Sequence, residues 1–346
     1  MTAKGIYLYG IVPNFYGTTQ FQSLENSGVS AITYQNISAI ISDSESEGLE
    51  NLDRESLAQL LVHHQRTIEE LQSKGFNMII PMQLGTIFNS KEEILNVLAN
   101  GHAVIIETLK KIEYLTEIDL VATWADFTKV LNDIAELPDV RELKQEMLQN
   151  SDIIKKVDQY KMGMFIQEIL SEKNKSVELK ILDALSPFGI DIRMHEVMND
   201  QMITNSAFLI NRNKQDKFEQ AINELDETFK GALNFKMVGP LPCYSFYTLE
   251  IHELNPDKVV QAKKDLELGA ETSESAIKKA YLEKAKLFHP DAHLKNGDDE
   301  NFNRINTAYH TLLDYSAAVR QSSKKDNFSL ALDNVNENLI LVKVKE

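Results

Sequence analysis

The sequence predicts an α+β protein in which two strand-rich units flank a helical middle and an all-helical segment lies near the C-terminus. Three observations carry that prediction. Short apolar, β-branched runs occur in two clusters, at residues 6–41 and 192–251. Stretches with apolar residues at three- and four-residue steps fill 54–73 and much of 90–185. At His252-Glu253-Leu254-Asn255-Pro256 the composition shifts to a Lys-rich, aromatic-poor helical stretch that runs to about Lys325.

Each element has a local reason. Ile6-Tyr7-Leu8-Tyr9-Gly10-Ile11-Val12, closed by Pro13, reads as a buried strand. Val29–Tyr34 and Ile37–Ile41 are two more strands, turning at Gln35-Asn36, and the acidic, Ser/Gly-rich stretch 42–53 is a solvated loop. From Arg54 to Ser73 a helix carries Leu57, Leu60, Leu61, His64, Ile68 and Leu71 on one stripe, and Gly75 stops it. Met78-Ile79-Ile80 returns as a strand. Strands around one packed helix, at this length, suggest a ferredoxin-like unit. Ser90 caps a helix that runs to about Tyr114, with Glu92 and Glu93 in its first turn. Ile118–Trp124 interrupts as a strand. Helices resume from Ala125 to about Leu185, where the series Ile153, Val157, Tyr160, Met164, Ile169 drifts around the axis as if two faces were covered. Pro187-Phe188-Gly189 breaks them. A second ferredoxin-like unit follows: strands Ile192–Val197 and Ile203–Ile210, a helix Lys214–Lys230 with Phe218, Ile222, Leu225 and Phe229 on one face, and an extended segment Phe235–Ile251. The isolated strand Leu339–Val344 has no local partner, so it adds to a sheet built earlier in the chain.

Composition removes several function classes. With 36 Lys and Arg against 52 Asp and Glu in 346 residues, the net charge is −16, which disfavours nucleic acid because that affinity rests on neutralising phosphates. The single cysteine, Cys243, excludes an internal disulfide and any multi-cysteine metal site. No apolar run reaches the ~18 residues of a membrane helix, and Met1-Thr-Ala-Lys-Gly5 lacks a signal-peptide core. The reading is an acidic, soluble, cytoplasmic protein that engages no nucleic acid and no lipid membrane.

The segment with a mechanism in it lies between Leu266 and Leu313. Ser273 caps a helix through Phe288; His289-Pro290-Asp291 ends it, since Pro290 cannot continue a helix. After the polar loop 295–299 a second helix carries Phe302, Ile305, Tyr309 and Leu312. This arrangement resembles the J domain of DnaJ-type co-chaperones. The resemblance implies contact with a DnaK-type chaperone and stimulation of its ATPase through His289, Pro290 and Asp291, with Lys278, Lys279 and Lys286 as a basic face that Lys263 and Lys264 extend. Such a face suits an acidic ATPase surface. Two positions depart from the pattern: Lys284 stands where the family packs a leucine, and Leu287 where it shows a basic residue.

A second resemblance covers residues 5–251. Tyr7–Val12, Ile37–Ser42 and the His63-His64-Gln65 helix come in the order seen in the GvpF/GvpL family. Ile80–Phe88 is similar to that family's Pro-x-x-x-Gly-Thr turn, and Val238–Phe246 to its closing Gly-Pro-x-Pro-x-Tyr-Ser-Phe, with Leu241 and Cys243 departing. Membership implies a gas vesicle accessory protein, located with the vesicle, that binds the hydrophobic shell protein GvpA alongside other accessory proteins, limits its aggregation and assists nucleation. The runner-up is a general DnaJ-type co-chaperone, which ought to carry a Gly/Phe-rich linker or zinc-binding cysteines. The segments expected are an N-terminal α+β domain at 1–88, a helical middle at 89–188, a second α+β domain at 189–252, a J-like domain at 253–323 and a tail with a strand at 324–346.

No catalytic residue, cofactor or metal site is expected. There is no Gly-rich phosphate loop, His-Glu-x-x-His or nucleophile elbow. His63 and His64 point about 100° apart on a helix and so do not share a metal, and His64 reads as a hydrogen-bonded core histidine. Cys243, Tyr244 and Phe246 read as packing, and Asp298-Asp299-Glu300 as a solvated loop.

Overall fold

A computed structural model of the chain describes residues 5–14, 28–44, 53–149, 156–288, 299–323, 328–329 and 339–345. They fall into two compact units, Met1–Lys111 with Tyr247–Glu346, and Ile112–Phe246.

In the first unit β1 (Gly5–Pro13) is central and almost wholly buried, which is why its sequence is apolar on both faces. It pairs antiparallel with β3 (Ile37–Ser44) on one side, and with β4 (Ile80–Pro81) and β5 (Ile87–Phe88) on the other; β2 (Ser30–Tyr34) lies beyond β3. Helix α1 (Arg54–Ser73) is capped by Asp53, which accepts from the Ser56 amide at 2.7 Å, and Gly75 follows its end at φ +89°. The expected stripe is buried only in its second half, at His64, Ile68 and Leu71; Leu57 and Leu61 are exposed. Helix α2 (Lys91–Ile112) starts as expected. Ser90 Oγ accepts from the Glu93 amide, and the Glu93 carboxylate accepts from the Asn89 amide at 2.9 Å.

The rest of this unit is built from the C-terminal part of the chain. Strand β10 (Thr248–Glu253) joins β4 through a bridge between Met82 and Leu249. Helices α7 (Pro256–Asp265), α8 (Glu274–Phe288) and α9 (Asp299–Ser323) follow, and β11 (Glu271–Thr272) pairs with β12 (Phe328–Ser329). Strand β13 (Ile340–Lys345) finds the partner the sequence required: it pairs antiparallel with β10 over all six residues. Leu341 joins the core of the three helices, with Val259, Leu266, Ile277, Ile305 and Leu312. Val342 lies against Gly101 of α2, where even a Cβ would come within 2.7 Å of its Cγ1. The side-chain amide of Gln321, in α9, donates to Val342 O at 2.7 Å and accepts from Val342 N at 3.1 Å, so it satisfies that backbone as another strand would.

The second unit runs β6 (Leu115–Trp124), α3 (Phe127–Ala135), α4 (Pro138–Gln149), α5 (Lys156–Leu185), β7 (Gly189–Met194), β8 (Met202–Asn211), α6 (Gln215–Phe229), β9 (Leu233–Leu241). Its sheet is antiparallel in the order β7-β8-β6-β9, the second-third-first-fourth order of a ferredoxin-like fold. The first unit's β2-β3-β1-β4 repeats that order. These units are cut differently from the five segments read from the sequence. Strand β6, read as an interruption of the helical middle, is the first strand of the second unit, because Ile118, Leu120, Ala122 and Trp124 alternate into the core beneath the helices. Helix α5 buries one face (Leu170, Val177, Ile181, Leu185) rather than two; Val157, Tyr160 and Met164 are exposed, and Ile153 lies outside the described residues.

Candidate functional site

The helix pair α8/α9 is the part of the chain with the clearest chemistry at its surface. Tyr281 stacks on Tyr309, with ring centroids 4.2 Å apart, and this holds the two helices face to face. At the other end Glu274 accepts from Ser316 Oγ at 2.8 Å and pairs with Arg320. With the inner face so occupied, Lys278, Leu282 and Lys286 recur every four residues on the solvent side, and Lys279, Glu283 and Leu287 run beside them; all six are exposed. The three lysines predicted from the sequence therefore share one open face. His289, Pro290 and Asp291 lie outside the described residues, immediately after the last residue of α8. Lys284, which stands where a leucine was expected, is largely covered and pairs with Glu267 at 2.8 Å, so an ion pair replaces the packing contact.

A second cluster was missed by sequence reasoning. Residues Ile118 to Trp124 of β6 put even positions into the core, which leaves Glu117 and Asp119 together on the opposite face. That face is covered by the chain after β9. Thr116 Oγ1 donates to Leu241 O at 2.9 Å, and Glu117 accepts from both the amide and the hydroxyl of Ser245, each at 2.8 Å. His195 Nε2 lies 3.2 Å from the same hydroxyl. Gly239 makes the close approach possible: at φ +152°, a Cβ there would meet Glu117 O at 2.9 Å. Glu117 is 1% exposed. Burial pushes its carboxyl up to about 8 against the two Ser245 hydrogen bonds, and the neighbouring Asp119 pushes it the same way. Burial raises Asp119 as well. At neutral pH the pair therefore holds a proton. Burial, with the nearby Glu117, drives the Cys243 thiol to about 12, so the lone cysteine is an inert packing group. Two acids at alternate positions of an otherwise apolar strand were the available signal.

A third cluster joins α1 to β1. Tyr7 and Tyr9 face His63 and His64; Tyr7 Oη bonds His64 Nδ1 at 2.8 Å, and Tyr9 Oη lies 2.9 Å from His63 Nε2 and 3.0 Å from Ser42 Oγ. Burial, and after it the charge of His63, lowers His64 to about 4, so it is a neutral hydrogen-bonded histidine of the core, as its place on the stripe implied. Burial lifts Tyr7 to about 12. Among the described residues no group of three or more His, Cys, Asp or Glu could hold a metal ion, and no helix is long and apolar enough to cross a membrane.

Comparison with known proteins gives these features a family. The family model described as gas vesicle synthesis protein GvpL/GvpF matches residues 5–248, some seven-tenths of the chain. The chain belongs to the GvpL/GvpF family. It is 24% identical over 252 residues to gas vesicle protein F of Dolichospermum flosaquae, covering 71% of this chain and 98% of that one. Against gas vesicle protein F of Haloferax mediterranei it is 19% identical over 255 residues, covering 72% and 96%. The crystal structure of GvpF from Anabaena sp. PCC7120 shares the fold, with a TM-score of 0.57 at 22% identity over 70% of this chain and 97% of that one. A DnaJ domain model matches residues 264–318, beyond the end of the GvpL/GvpF match. The segment Gly239–Phe246 thus has a physical role in this chain: its Ser245 seals the buried carboxylates of β6.

Proposed function

We propose that this chain is a gas vesicle assembly accessory that binds the apolar shell protein GvpA, limits its aggregation and assists nucleation, and that its J-like helices bring a DnaK-type chaperone to that client. The observation that carries the reading is the way the DnaJ-type helix pair is joined to a GvpL/GvpF body. Strand β13 sits in the helices' core through Leu341 and pairs with β10 at the same time, so the module is fastened to its unit. A general co-chaperone gains from a long flexible tether; a fastened module serves a client held on the same chain, at a fixed and high effective concentration. The exposed Lys278, Lys279 and Lys286 give the chaperone a basic face to meet, and the acidic chain, at −16, keeps a complex with an apolar subunit in solution.

Two measurements test this. The full chain, mixed with GvpA diluted from denaturant, should suppress turbidity and co-elute with it; unchanged turbidity and no co-elution refute the client half. ATPase turnover of a DnaK-type chaperone from the same organism should rise with the wild-type chain and not with His289→Gln. Turnover unchanged by either refutes the chaperone half and leaves the α8/α9 pair a structural extension.

A further inference from the structure

The second unit carries a trough that, apart from the His195–Ser245 contact, none of the interactions above uses. Its volume is about 790 Å³, and it lies between helix α5 and the loop 195–201. One wall is a ridge of α5: Gln167, Leu170, Ser171, Asn174, Lys175 and Glu178, at three- and four-residue steps. From Gln167 to Glu178 that ridge spans roughly 16 Å, three helical turns. The other wall is methionine-rich, with Met194, Val197, Met198 and Met202. Met198 is 82% exposed, Met194 48% and Val197 47%. Apolar side chains displayed so openly on one short loop and the strand end before it are unusual for a surface with no partner.

The loop is built to hold them there. His195 N donates to Asn205 O at 2.7 Å, and Asn205 Nδ2 returns to Glu196 O at 3.1 Å. Across the trough Asn174 ties the two walls together: its Oδ1 accepts from Trp124 Nε1 at 2.7 Å, and its Nδ2 donates to Asp200 O at 3.1 Å. Gln201 Nε2 closes the network on Trp124 O at 2.9 Å. The backbone is fixed, and Met194 Sδ accepts from Ser206 Oγ at 3.5 Å, while a methionine as open as Met198 is of a residue type that repacks readily, which lowers the ordering cost of binding and tolerates an imperfect apolar partner. The charged groups lining the trough are Glu178, Glu196 and Asp200 against one lysine, Lys175, so its rim is negative.

We infer that this trough is the docking site for one amphipathic α-helix, with an apolar ridge of about three turns and basic residues along its margins. Resting on the function proposed above, that helix belongs to the shell protein. A helix fits because the α5 ridge offers the i, i+3, i+4, i+7 spacing that a second helix interleaves with. The basic margins follow from the rim's charge.

The test uses the full-length chain and a labelled helical peptide of about four turns, with Leu at i, i+3, i+4 and i+7 and Lys on both flanks; a second peptide carries Glu on the flanks. Fluorescence anisotropy should show the Lys-flanked peptide binding about tenfold tighter than the Glu-flanked one. Met198→Glu, which places a carboxylate among the apolar contacts at a position exposed in the free protein, should weaken binding by about tenfold or more, and Met198→Leu should retain it. Equal binding by wild type and Met198→Glu, or no preference for Lys flanks, overturns the docking site. Competition with GvpA kept soluble as a fusion separates this from the function proposed above. Displacement of the peptide supports both. GvpA held without displacing the peptide overturns its assignment to this trough and spares the assembly role. A peptide that binds Met198-dependently while GvpA is not retained at all supports the trough and refutes the assembly role.

Discussion

The buried carboxylate pair makes a sharp expectation about pH. Glu117, 1% exposed, is carried from 4.5 to about 8 by burial, with Asp119 beside it also raised. The folded chain therefore holds a proton that the unfolded chain releases between these two values. The sign follows: where the native state binds more protons than the unfolded state, stability falls as pH rises. The contribution is fully present below 4.5 and is lost as pH climbs through about 8. At about 1.4 kcal/mol per pH unit the whole loss is on the order of 5 kcal/mol, comparable with the stability of a small domain. Glu117→Gln removes the titration and keeps the shape. The amide oxygen still accepts from the Ser245 amide, and the new NH₂ meets the Ser245 hydroxyl. Urea unfolding followed by the fluorescence of Trp124, the single tryptophan and a core residue of the second unit, reports on this unit. Between pH 5 and pH 8 we expect the wild type to lose several kcal/mol and the variant to stay much flatter, so that the curves lie close together at pH 5 and the variant is the more stable at pH 8. Parallel curves, or a wild type that gains stability with pH, would falsify the buried-proton account.

Three further outcomes follow from the C-terminal part of the chain. Ending the chain at residue 338 removes β13 and uncovers the surfaces that Leu341 and Val342 bury; at about 1.5–3 kcal/mol per buried side chain, helices α7 and α9 should become protease-sensitive, and unchanged protection would show that the strand does not hold them. Gly101→Ala drives a methyl into Val342 and should cost about 1–3 kcal/mol, read as a lowered melting temperature; shortening the neighbour with Val342→Ala in the same chain should recover part of it, and full additivity of the two losses would refute the contact. Lys284→Met replaces the ion pair between the largely covered Lys284 and the exposed Glu267 by an apolar side chain, so stability should stay within about 1 kcal/mol or rise; a loss above about 3 kcal/mol would mean the pair is structural.

What could be read from the sequence, and what could not, divides along a physical line. Helix α1 begins and ends at the residues predicted because its signals are local: the apolar stripe along it and Gly75 after its end. The Ser90 and Ser273 caps are local in the same way, and each accepts the backbone N–H expected of it. The lysine face of α8 was readable because it needs only helical spacing. Strand β6 was identified as a strand without its partners, because β8 and β9 lie about 80 to 120 residues downstream and nothing local reports pairing. The two acids of that strand, Glu117 and Asp119, could be read locally, but their burial could not, for the same reason. An acid in a strand looks solvated until a later segment folds across it, and Ser245 lies 128 residues away. The exposed methionines gave no signal either, since Met194 and Met198 read equally well as core.

The same contrast bears on how the J-like helices work. Their internal contacts, such as the Tyr281–Tyr309 stack, are local and would form in a free module. Their attachment is not local: it runs through Leu341 in their core, the β13–β10 ladder and the Gln321 amide on Val342, all supplied or completed by the last residues of the chain. A module tied through β13 and Gln321 presents Lys278, Lys279 and Lys286 in one fixed orientation on its unit. Removing β13 would leave the lysine face intact and free the module from its frame. If delivery depends on that frame, the chain ending at 338 should still stimulate a DnaK-type ATPase while losing the chaperone-dependent part of its effect on GvpA. Loss of both together would mean that the strand is needed for the helices to fold, and retention of both would mean that the fixed orientation has no part in delivery.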